Sequence, residues 1–268
     1  MNPEPQADSW ASGAAYDPYM GRWSRRAARE FLRWLAVPDG QRWLEVGCGT
    51  GALTGTVMEM AAPALLVAAD RSLAYVAYAR AQNDGEPLRF VVADVAQLPA
   101  RPGAADAVVA GLVLNFLPLP GVGVLEMLRA ARVGGTVAAY LWDYAGRMEL
   151  LRLFWDTAVE LDPAAALLDE GRRFPLCEPQ ALMRLWQEAG LVKVQSAGLE
   201  VAMSYRDFED YWQPFLGGQG PAPGYVASLE PERLVALRER LRARLPTQPD
   251  GQITLVARAW AVRGRRAA

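Results

Sequence analysis

Three glycines at alternate positions, Gly47, Gly49 and Gly51, follow the apolar stretch 43–46 and precede a predicted helix. Because glycine lacks a Cβ atom and readily adopts positive φ, such a loop can turn sharply and let a ligand lie against its backbone amides. Glu45 interrupts the apolar stretch directly before the loop, at a position where we expect an apolar side chain unless a ligand requires otherwise. The pattern predicts a binding loop for a nucleotide-type cofactor.

Acidic residues close three successive apolar stretches, at Glu45, Asp70 and Asp94. Because the carboxyl ends of parallel strands meet at one edge of a sheet, where open α/β folds bind ligands, we expect these side chains to converge. Asp70 follows the glycine loop by about 20 residues, a position from which an acidic side chain accepts hydrogen bonds from ribose hydroxyls. Any one of the three, taken singly, could instead cap the next helix or turn, and that alternative stays open.

Short apolar runs alternate with helical stretches over the first half of the chain. The predicted strands lie near 42–46, 65–70, 88–92, 107–110 and 135–142. Continuous apolar strands separated by helices are typical of a parallel sheet that is covered on both faces. The sequence therefore predicts an α/β fold with a doubly wound sheet.

Three regions follow from this pattern. Residues 1–40 form an aromatic N-terminal segment and a helix with Ser24 as its predicted N-cap, which together are expected to act as a cofactor lid. Residues 41–147 form the cofactor-binding core. Residues 148–268 complete the sheet and carry helical insertions, which we expect to cap the substrate.

Composition narrows the classes of function. A chain of 268 residues with 52% hydrophobic content can bury the core of one large α/β domain, with or without a subdomain. A net charge of −2 disfavours nucleic acid as a partner, because electrostatic binding to phosphates normally requires a basic surface. No stretch approaches the roughly 18 apolar residues of a membrane span, and the polar start resembles no signal peptide, so we expect a cytoplasmic protein without a membrane partner.

The chain contains no histidine. An imidazole base is therefore excluded, together with serine-triad hydrolases and most zinc enzymes. The two cysteines, Cys48 and Cys177, lie far apart and lack metal-ligand spacing, which suits a reducing compartment and predicts no metal site.

These segments together resemble the class I S-adenosylmethionine-dependent methyltransferases of the small-molecule type, over roughly residues 16–142. The matching segments are the glycine-rich first motif at 44–51, the ribose acid Asp70, the adenine-contacting motif at 93–95, the fourth strand with its substrate-side loop at 105–116, and the turn into strand five at 132–136. The resemblance implies S-adenosylmethionine as the cofactor. It also implies a Rossmann-like, seven-stranded, mostly parallel sheet with 252–262 as the one antiparallel strand.

The resemblance also implies a set of cofactor-binding residues. The glycine loop would pack against the methionyl and ribose parts, Asp70 would hold the ribose hydroxyls, and Asp94 would accept from the adenine amino group. The remaining implied contacts are Val95 beside the adenine, Arg71 and Ser72 along the adenosine, and Leu112 and Asn115 near the sulfonium.

The N-terminal aromatic segment matches a segment that family members often fold over the cofactor. Tyr16 and Tyr19 would then offer ring faces to the sulfonium cation, and Arg22 would pair with the methionyl carboxylate. A hydrophobic helix that docks on the core explains the same residues without any ligand contact, so both interpretations remain open.

The candidates for catalysis are Asp143 and Tyr144, which follow the fifth strand where relatives form part of the acceptor pocket. Each could instead cap the following helix. Many relatives carry histidine near the position of Asn115, and this chain offers none there, so no histidine role transfers. An acceptor that is already ionised, or that reacts at carbon, would need no base.

We therefore expect in-line methyl transfer to a small, partly apolar acceptor. The region after the fourth strand reads Asn-Phe-Leu-Pro at 115–118, without the motif of relatives that methylate amino groups of bases or glutamine. Two alternatives remain: an NAD(P)-dependent Rossmann oxidoreductase, and a non-catalytic S-adenosylmethionine-binding protein. The first shares the glycine loop and Asp70 but leaves Asp94 and the N-terminal segment unexplained.

Overall fold

A seven-stranded sheet forms the centre of the computed structural model, which describes residues 17–218 and 220–268 and, for Asp17 and Pro18, the backbone alone. The strands in chain order are β1 (Arg42–Val46), β2 (Leu65–Asp70), β3 (Leu88–Val92), β4 (Ala105–Gly111), β5 (Ala131–Trp142), β6 (Leu191–Tyr205) and β7 (Ile253–Arg266).

The strand order across the sheet is β3-β2-β1-β4-β5-β7-β6. The first five strands pair in parallel, whereas β7 runs antiparallel to both of its neighbours, β5 and β6. The predicted fold class is confirmed, with β7 as the reversed strand. Since β1 to β5 share one direction, their carboxyl ends form a single edge at which ligands of open α/β sheets bind.

Helices cover both faces of the sheet. In the part of the chain that the structure describes, the α-helices are α1 (Arg22–Leu35), α2 (Ala52–Met60), α3 (Leu73–Gln82), α4 (Pro120–Ala130), α5 (Glu149–Leu161), α6 (Glu170–Arg173), α7 (Pro179–Glu188), α8 (Phe208–Trp212), α9 (Pro221–Ala227) and α10 (Pro231–Arg244). None of them is both long and apolar enough to cross a membrane.

The start of α1 differs from the prediction that Ser24 is its N-cap. A π-helical turn at Asp17–Gly21 leads directly into α1, and Gly21 occupies the cap position. Ser24 lies inside the helix, buried, where its hydroxyl donates to the carbonyl of Met20 at 3.0 Å. A serine before an apolar periodic run is a common cap signal, but here the preceding aromatic turn is already helical and moves the boundary back.

The amino-terminal ends of β1, β4 and β5 are joined by one carboxylate. Asp106 accepts hydrogen bonds from the backbone and side chain of Arg42, at 2.9 and 3.0 Å, and from the side chain of Arg132. These guanidinium contacts hold the pKa of Asp106 well below its usual range. The ion pairs thus fix the edge of the sheet opposite the ligand-binding edge.

Two insertions pack over the ligand-binding edge. The first comprises α5, a 3₁₀ turn at Pro163–Leu167 and α6. The second contains α8, α9 and the 3₁₀ turn between them, Gln213–Gly217.

Ring contacts connect both insertions to the N-terminal turn. Phe154 of the first insertion stacks on Phe215 of the second, with centroids 4.7 Å apart, and Phe215 contacts the ring of Tyr19 edge-on at 5.5 Å. Aromatic pairs at such distances add stabilisation beyond the area that they bury. We call Tyr19, Phe154 and Phe215 the aromatic cluster.

Candidate functional site

A cavity of about 440 Å³ lies at the carboxyl ends of β1, β2, β3, β4 and β5. That volume falls within the range of about 300 to 1,000 Å³ that small-molecule sites occupy. Its walls come from the turns after all five strands, from the N-terminal turn and from the first insertion. The cavity therefore lies where the sheet topology predicts a ligand site.

The glycine loop follows β1, and all three of its glycines have positive φ. They differ in what an added Cβ atom would meet. A Cβ atom on Gly47 would lie 2.5 Å from a methyl group of Val113, and one on Gly51 would lie 2.5 Å from the amide nitrogen of Asn83. Gly49 has a φ of +51°, and a Cβ atom there would meet no protein atom within 4 Å. Gly47 and Gly49 line the cavity, whereas Gly51 begins α2 outside it. Close packing thus requires the outer two glycines, while the middle one leaves backbone open to a ligand.

Asp70, at the end of β2, lines the cavity and also supports the loop. One carboxylate oxygen accepts a hydrogen bond from the amide of Gly49 at 2.9 Å, and the other accepts from the amide of Ser72 at 2.8 Å. Each carboxylate oxygen has more than one lone pair, so both retain acceptor capacity for a ligand hydroxyl. Ser72 caps α3 by accepting a 3.3 Å hydrogen bond from the amide of Tyr75, and both Arg71 and Ser72 line the cavity.

Glu45 lies beside the glycine loop with only 1% of its surface exposed. Its carboxyl group accepts a hydrogen bond from the hydroxyl of Thr54 at 2.6 Å, and burial raises its pKa to about 8. Desolvation disfavours the charged form of a carboxyl group, and a cation beside it would restore that form. Burial likewise raises the pKa of the Cys48 thiol, which keeps this loop residue protonated and suits packing rather than nucleophilic attack.

The residues predicted to surround the adenine and the sulfonium divide into two groups. Val95 and Leu112 line the cavity. Asp94 is exposed and outside the lining, with its side chain capping the amide of Ala96 at 2.8 Å. Asn115 also lies outside the lining, and its buried amide nitrogen has no hydrogen-bond partner among the described residues.

The N-terminal candidates Tyr19 and Arg22 lie in different environments. Tyr16 lies outside the described residues. Tyr19 is buried and lines the cavity. Arg22 does not line it, because its guanidinium lies 3.4 Å from the carboxylate of Asp210 and stacks over the ring of Trp23 at 4.3 Å. The geometry therefore gives Arg22 a role in joining α1 to the second insertion.

The two catalytic candidates occupy different environments. Tyr144 lines the cavity, and its ring contacts that of Phe174 at 5.6 Å. Asp143 lies outside the lining, where its carboxylate forms an ion pair with Arg258 at 2.6 Å. Asp143 also accepts from the amides of Gly146 and Arg147 at 3.0 and 2.9 Å. Both of its oxygens thus accept hydrogen bonds within the fold, outside the cavity lining.

Glu170 is a site residue that sequence reasoning missed. It lines the cavity with 4% of its surface exposed, and its carboxyl group accepts a hydrogen bond from the indole nitrogen of Trp155. Burial raises the pKa of Glu170 to about 7. In the sequence it stands in an Asp-Glu-Gly-Arg-Arg run that resembles an ordinary exposed helix start, so no local signal distinguishes it.

Residues 44–139 match the family described as a methyltransferase domain. The trans-aconitate 2-methyltransferase of Azoarcus sp. is 32% identical over 243 residues, and the match covers 85% of this chain and 88% of that relative. The malonyl-acyl-carrier protein O-methyltransferase of Hahella chejuensis is 27% identical over 166 residues, covering 62% of this chain and 56% of that relative. The chain thus matches little more than half the length of the second protein.

A solved structure shares the fold at low identity. The phosphoethanolamine N-methyltransferase 2 of Haemonchus contortus, in complex with phosphomonomethylethanolamine and S-adenosylhomocysteine, superimposes with a TM-score of 0.59 and 13% identity. The superposition covers 95% of this chain and 57% of that chain. At this identity the likeness concerns the fold.

Proposed function

Because the chain belongs to the class I S-adenosylmethionine-dependent methyltransferase family, we propose that its cavity binds this cofactor and positions a small, partly apolar acceptor for in-line methyl transfer. The observation that carries the proposal is the open backbone at Gly49, whose amide donates to Asp70, in a cavity lining that also contains the buried carboxyl group of Glu45.

The cavity residues fit the chemistry of the cofactor. Its amino acid part carries an ammonium group, which suits the buried carboxyl group of Glu45, and its ribose carries two hydroxyls, which suit the carboxylate of Asp70. Val95 offers apolar surface for the adenine, and Leu112 offers it for the sulfonium end of the cofactor. When bound, S-adenosylmethionine supplies a methyl group on a cationic sulfur.

The protein contributes mainly alignment and exclusion of water. Tyr19 closes one side of the cavity, and the aromatic cluster to which it belongs connects that side to both insertions. Proximity and orientation can supply about 7 to 11 kcal/mol of a two-reactant barrier. The ring of Tyr19 is also an attractive surface for a cation.

Apolar surface defines the rest of the cavity. Its walls include Met20, Phe116, Leu117, Trp142 and Leu151, contributed by the N-terminal turn, the loop after β4, the end of β5 and α5. Burying apolar parts of a ligand against such walls contributes about 25 cal/mol per Å². This composition supports an acceptor that is partly apolar.

The strand order and directions of the sheet disfavour the alternative of an NAD(P)-dependent oxidoreductase. Dinucleotide-binding folds commonly consist of two parallel βαβαβ halves with the strand order 3-2-1-4-5-6. Here the second half ends in β7 and β6, which pair antiparallel. The structure therefore contains one complete mononucleotide-binding half, at β1 to β3, which accommodates a single adenosine.

Calorimetry with S-adenosylmethionine, S-adenosylhomocysteine, NADH and NADPH tests the cofactor. We expect both adenosyl ligands to bind and both nicotinamide ligands to give no heat above dilution. Binding of a nicotinamide ligand alone would overturn the proposal. Transfer of a labelled methyl group from S-adenosylmethionine to a member of an acceptor library then distinguishes an enzyme from a protein that only binds the cofactor.

A further inference from the structure

The cavity extends beyond the part that an adenosyl cofactor would occupy under the proposed function, on which this inference rests. Glu45, the glycine loop and Asp70 lie at the ends of β1 and β2. Two strand spacings, β1 to β4 and β4 to β5, separate β1 from β5. At about 4.8 Å per spacing, the end of β5 lies roughly 10 Å from that of β1, which leaves the β5 side for an acceptor.

Glu170 belongs to this β5 side. Its helix, α6, packs closely on the turn after β5, because a Cβ atom on Gly171 would lie 3.0 Å from the carbonyl oxygen of Tyr144. Phe174, which follows α6, contacts the rings of both Tyr144 and Phe116 at 5.6 and 5.1 Å. Contacts to the turns after β4 and β5 thus fix the position of α6.

The β5 side offers a buried carboxyl group, and no Lys or Arg side chain among the described residues lines the cavity there. Arg71 is the one Lys or Arg side chain among the described residues of the cavity lining, and it is exposed and follows β2. An acceptor carboxylate would therefore lie beside the carboxyl group of Glu170 with no guanidinium or ammonium group of the cavity lining in contact with it, which costs free energy. An acceptor that carries a proton on its nucleophilic atom can donate that proton to Glu170 in a hydrogen bond.

We propose that Glu170 is the general base of the reaction, and that the site takes acceptors with a hydroxyl or ammonium group and excludes those methylated on a carboxylate. For a hydroxyl, the proton moves from oxygen to the carboxylate of Glu170 as the oxygen bonds to the methyl carbon and the carbon–sulfur electron pair returns to sulfur. Charge balances, because the sulfonium becomes a neutral thioether and the carboxylate becomes a neutral acid. No further reactant is required.

The surroundings of Glu170 support this role near neutral pH. Burial raises its pKa to about 7, the carboxylate of Asp169 also raises it, and the indole of Trp155 and the guanidinium of Arg173 lower it. Asp169 is itself paired with Arg152 of α5, and Tyr144 faces α6 from the turn after β5. A base is most effective when its pKa is close to the working pH.

The ionisation of Glu170 can be observed without turnover. The indole N–H of Trp155 donates to this carboxyl group, so its nitrogen resonance should shift with pH in spectra of the full-length protein labelled with ¹⁵N at tryptophan. We expect one indole signal to titrate with a midpoint near 7. The titration should vanish in Glu170→Gln, whose amide oxygen can still accept from the indole. It should persist in Glu178→Gln, a matched change at an exposed position outside the cavity.

Turnover then tests the base itself. In Glu170→Gln we expect a loss of at least about 100-fold in kcat, the lower end of what a general base contributes, with unchanged affinity for S-adenosylhomocysteine. In the wild type and in Glu178→Gln, kcat should fall on the acid side with a midpoint near 7. A purely structural role for Glu170 would lower the rate and leave the shape of the pH profile unchanged, which would overturn the proposal.

Acceptors that share one ring and differ in one group test the substrate class: a phenol, a benzylamine and a benzoate, with trans-aconitate as a polycarboxylate. We expect methylation of the phenol or the amine and none of the carboxylates. Preferred methylation of benzoate or trans-aconitate by a protein that binds S-adenosylhomocysteine would overturn this inference alone. Absence of adenosyl ligand binding would instead overturn the proposed function.

Discussion

The carboxylate of Asp143 lies 2.6 Å from the guanidinium of Arg258, in an ion pair that joins the end of β5 to the antiparallel strand β7. Asp143 also accepts from two amides of the turn that follows it. The turn carries Tyr144 into the cavity wall. The ion pair therefore holds in place the turn that forms part of the β5 side of the cavity, although Asp143 itself lies outside the cavity lining.

Asp143→Ala should mainly lower stability. Breaking a buried ion pair costs about 3 to 5 kcal/mol, and because Arg258 is a quarter exposed we expect about 3 kcal/mol. Urea unfolding monitored by circular dichroism measures the loss, with Asp39→Ala as the control at an exposed position. Full stability combined with lost turnover would instead show that Asp143 acts in the chemistry.

The sequence predicts that residues at the ends of β1 and β2 converge, but it does not predict that Glu170 reaches the β5 side of the cavity. Gly49 and Asp70 belong to one βαβ unit, in which strand direction alone brings the loop and the carboxylate together, at 2.9 Å. Glu170 reaches the cavity through a tertiary contact between α6 and the turn after β5. No periodicity or spacing in the sequence encodes such a contact, so composition around residue 170 suggests only an exposed helix start.

Asp70→Ala should weaken adenosyl ligand binding. The variant loses the acceptor proposed for the ribose hydroxyls and the support of Gly49, and hydrogen bonds to charged groups are worth about 1.5 to 3 kcal/mol. We expect S-adenosylhomocysteine to bind about 10- to 100-fold more weakly, measured by calorimetry, in a protein with an unchanged circular dichroism spectrum. Asp84→Ala, at an exposed position after α3, is the control and should bind normally. Equal affinities in the two variants would contradict the ribose assignment.

Gly47→Ala should mainly lower the stability of the fold, whereas Gly49→Ala should mainly weaken ligand binding. Both glycines have positive φ, which costs a non-glycine residue about 1 to 2 kcal/mol. Only at Gly47 would the new methyl group also overlap Val113, which adds about 1 to 3 kcal/mol of overpacking. We expect Gly47→Ala to have the lower melting temperature, and Gly49→Ala to fold while losing adenosyl ligand affinity.

The double variant Gly47→Ala with Val113→Ala checks the cause of that difference. Removing the methyl groups of Val113 relieves the overlap but leaves the positive φ, so the double variant should recover part of the lost stability. A double variant less stable than the sum of its single changes would show that Val113 is not the residue that excludes a side chain at position 47.

The boundary of α1 shows how tertiary structure shifts a local signal. Ser24 has the residue type of an N-cap, yet its hydroxyl donates to the carbonyl of Met20 inside a continuous helical path. The turn at Asp17–Gly21 is helical because Tyr19 and Met20 are buried against the cavity and the second insertion. The packing partner of this turn, Phe215, lies almost 200 residues away, beyond any local pattern.

Glu45 should make the protein less stable as pH rises, and its substitution should remove that effect. Its pKa rises from an ordinary value of 4.5 to about 8 on folding, so between these values the folded protein holds a proton that the unfolded chain has lost. Stability through this group is complete below the lower value and is lost as pH rises through the upper one. Glu45→Gln stays neutral and can still accept from Thr54, so its melting temperature should fall less than that of the wild type across this range.

Cofactor binding should ionise the carboxyl group of Glu45, which is protonated in the free folded protein below about pH 8. An ammonium group beside Glu45 favours its ionised form, so binding below about pH 8 should release a proton from the wild type and none from Glu45→Gln. Calorimetry of S-adenosylhomocysteine in two buffers with different ionisation enthalpies counts the protons released. An equal count in the two proteins would place the ammonium group away from Glu45. A larger number of released protons in the wild type would place the ammonium group of the ligand beside Glu45, next to the glycine loop.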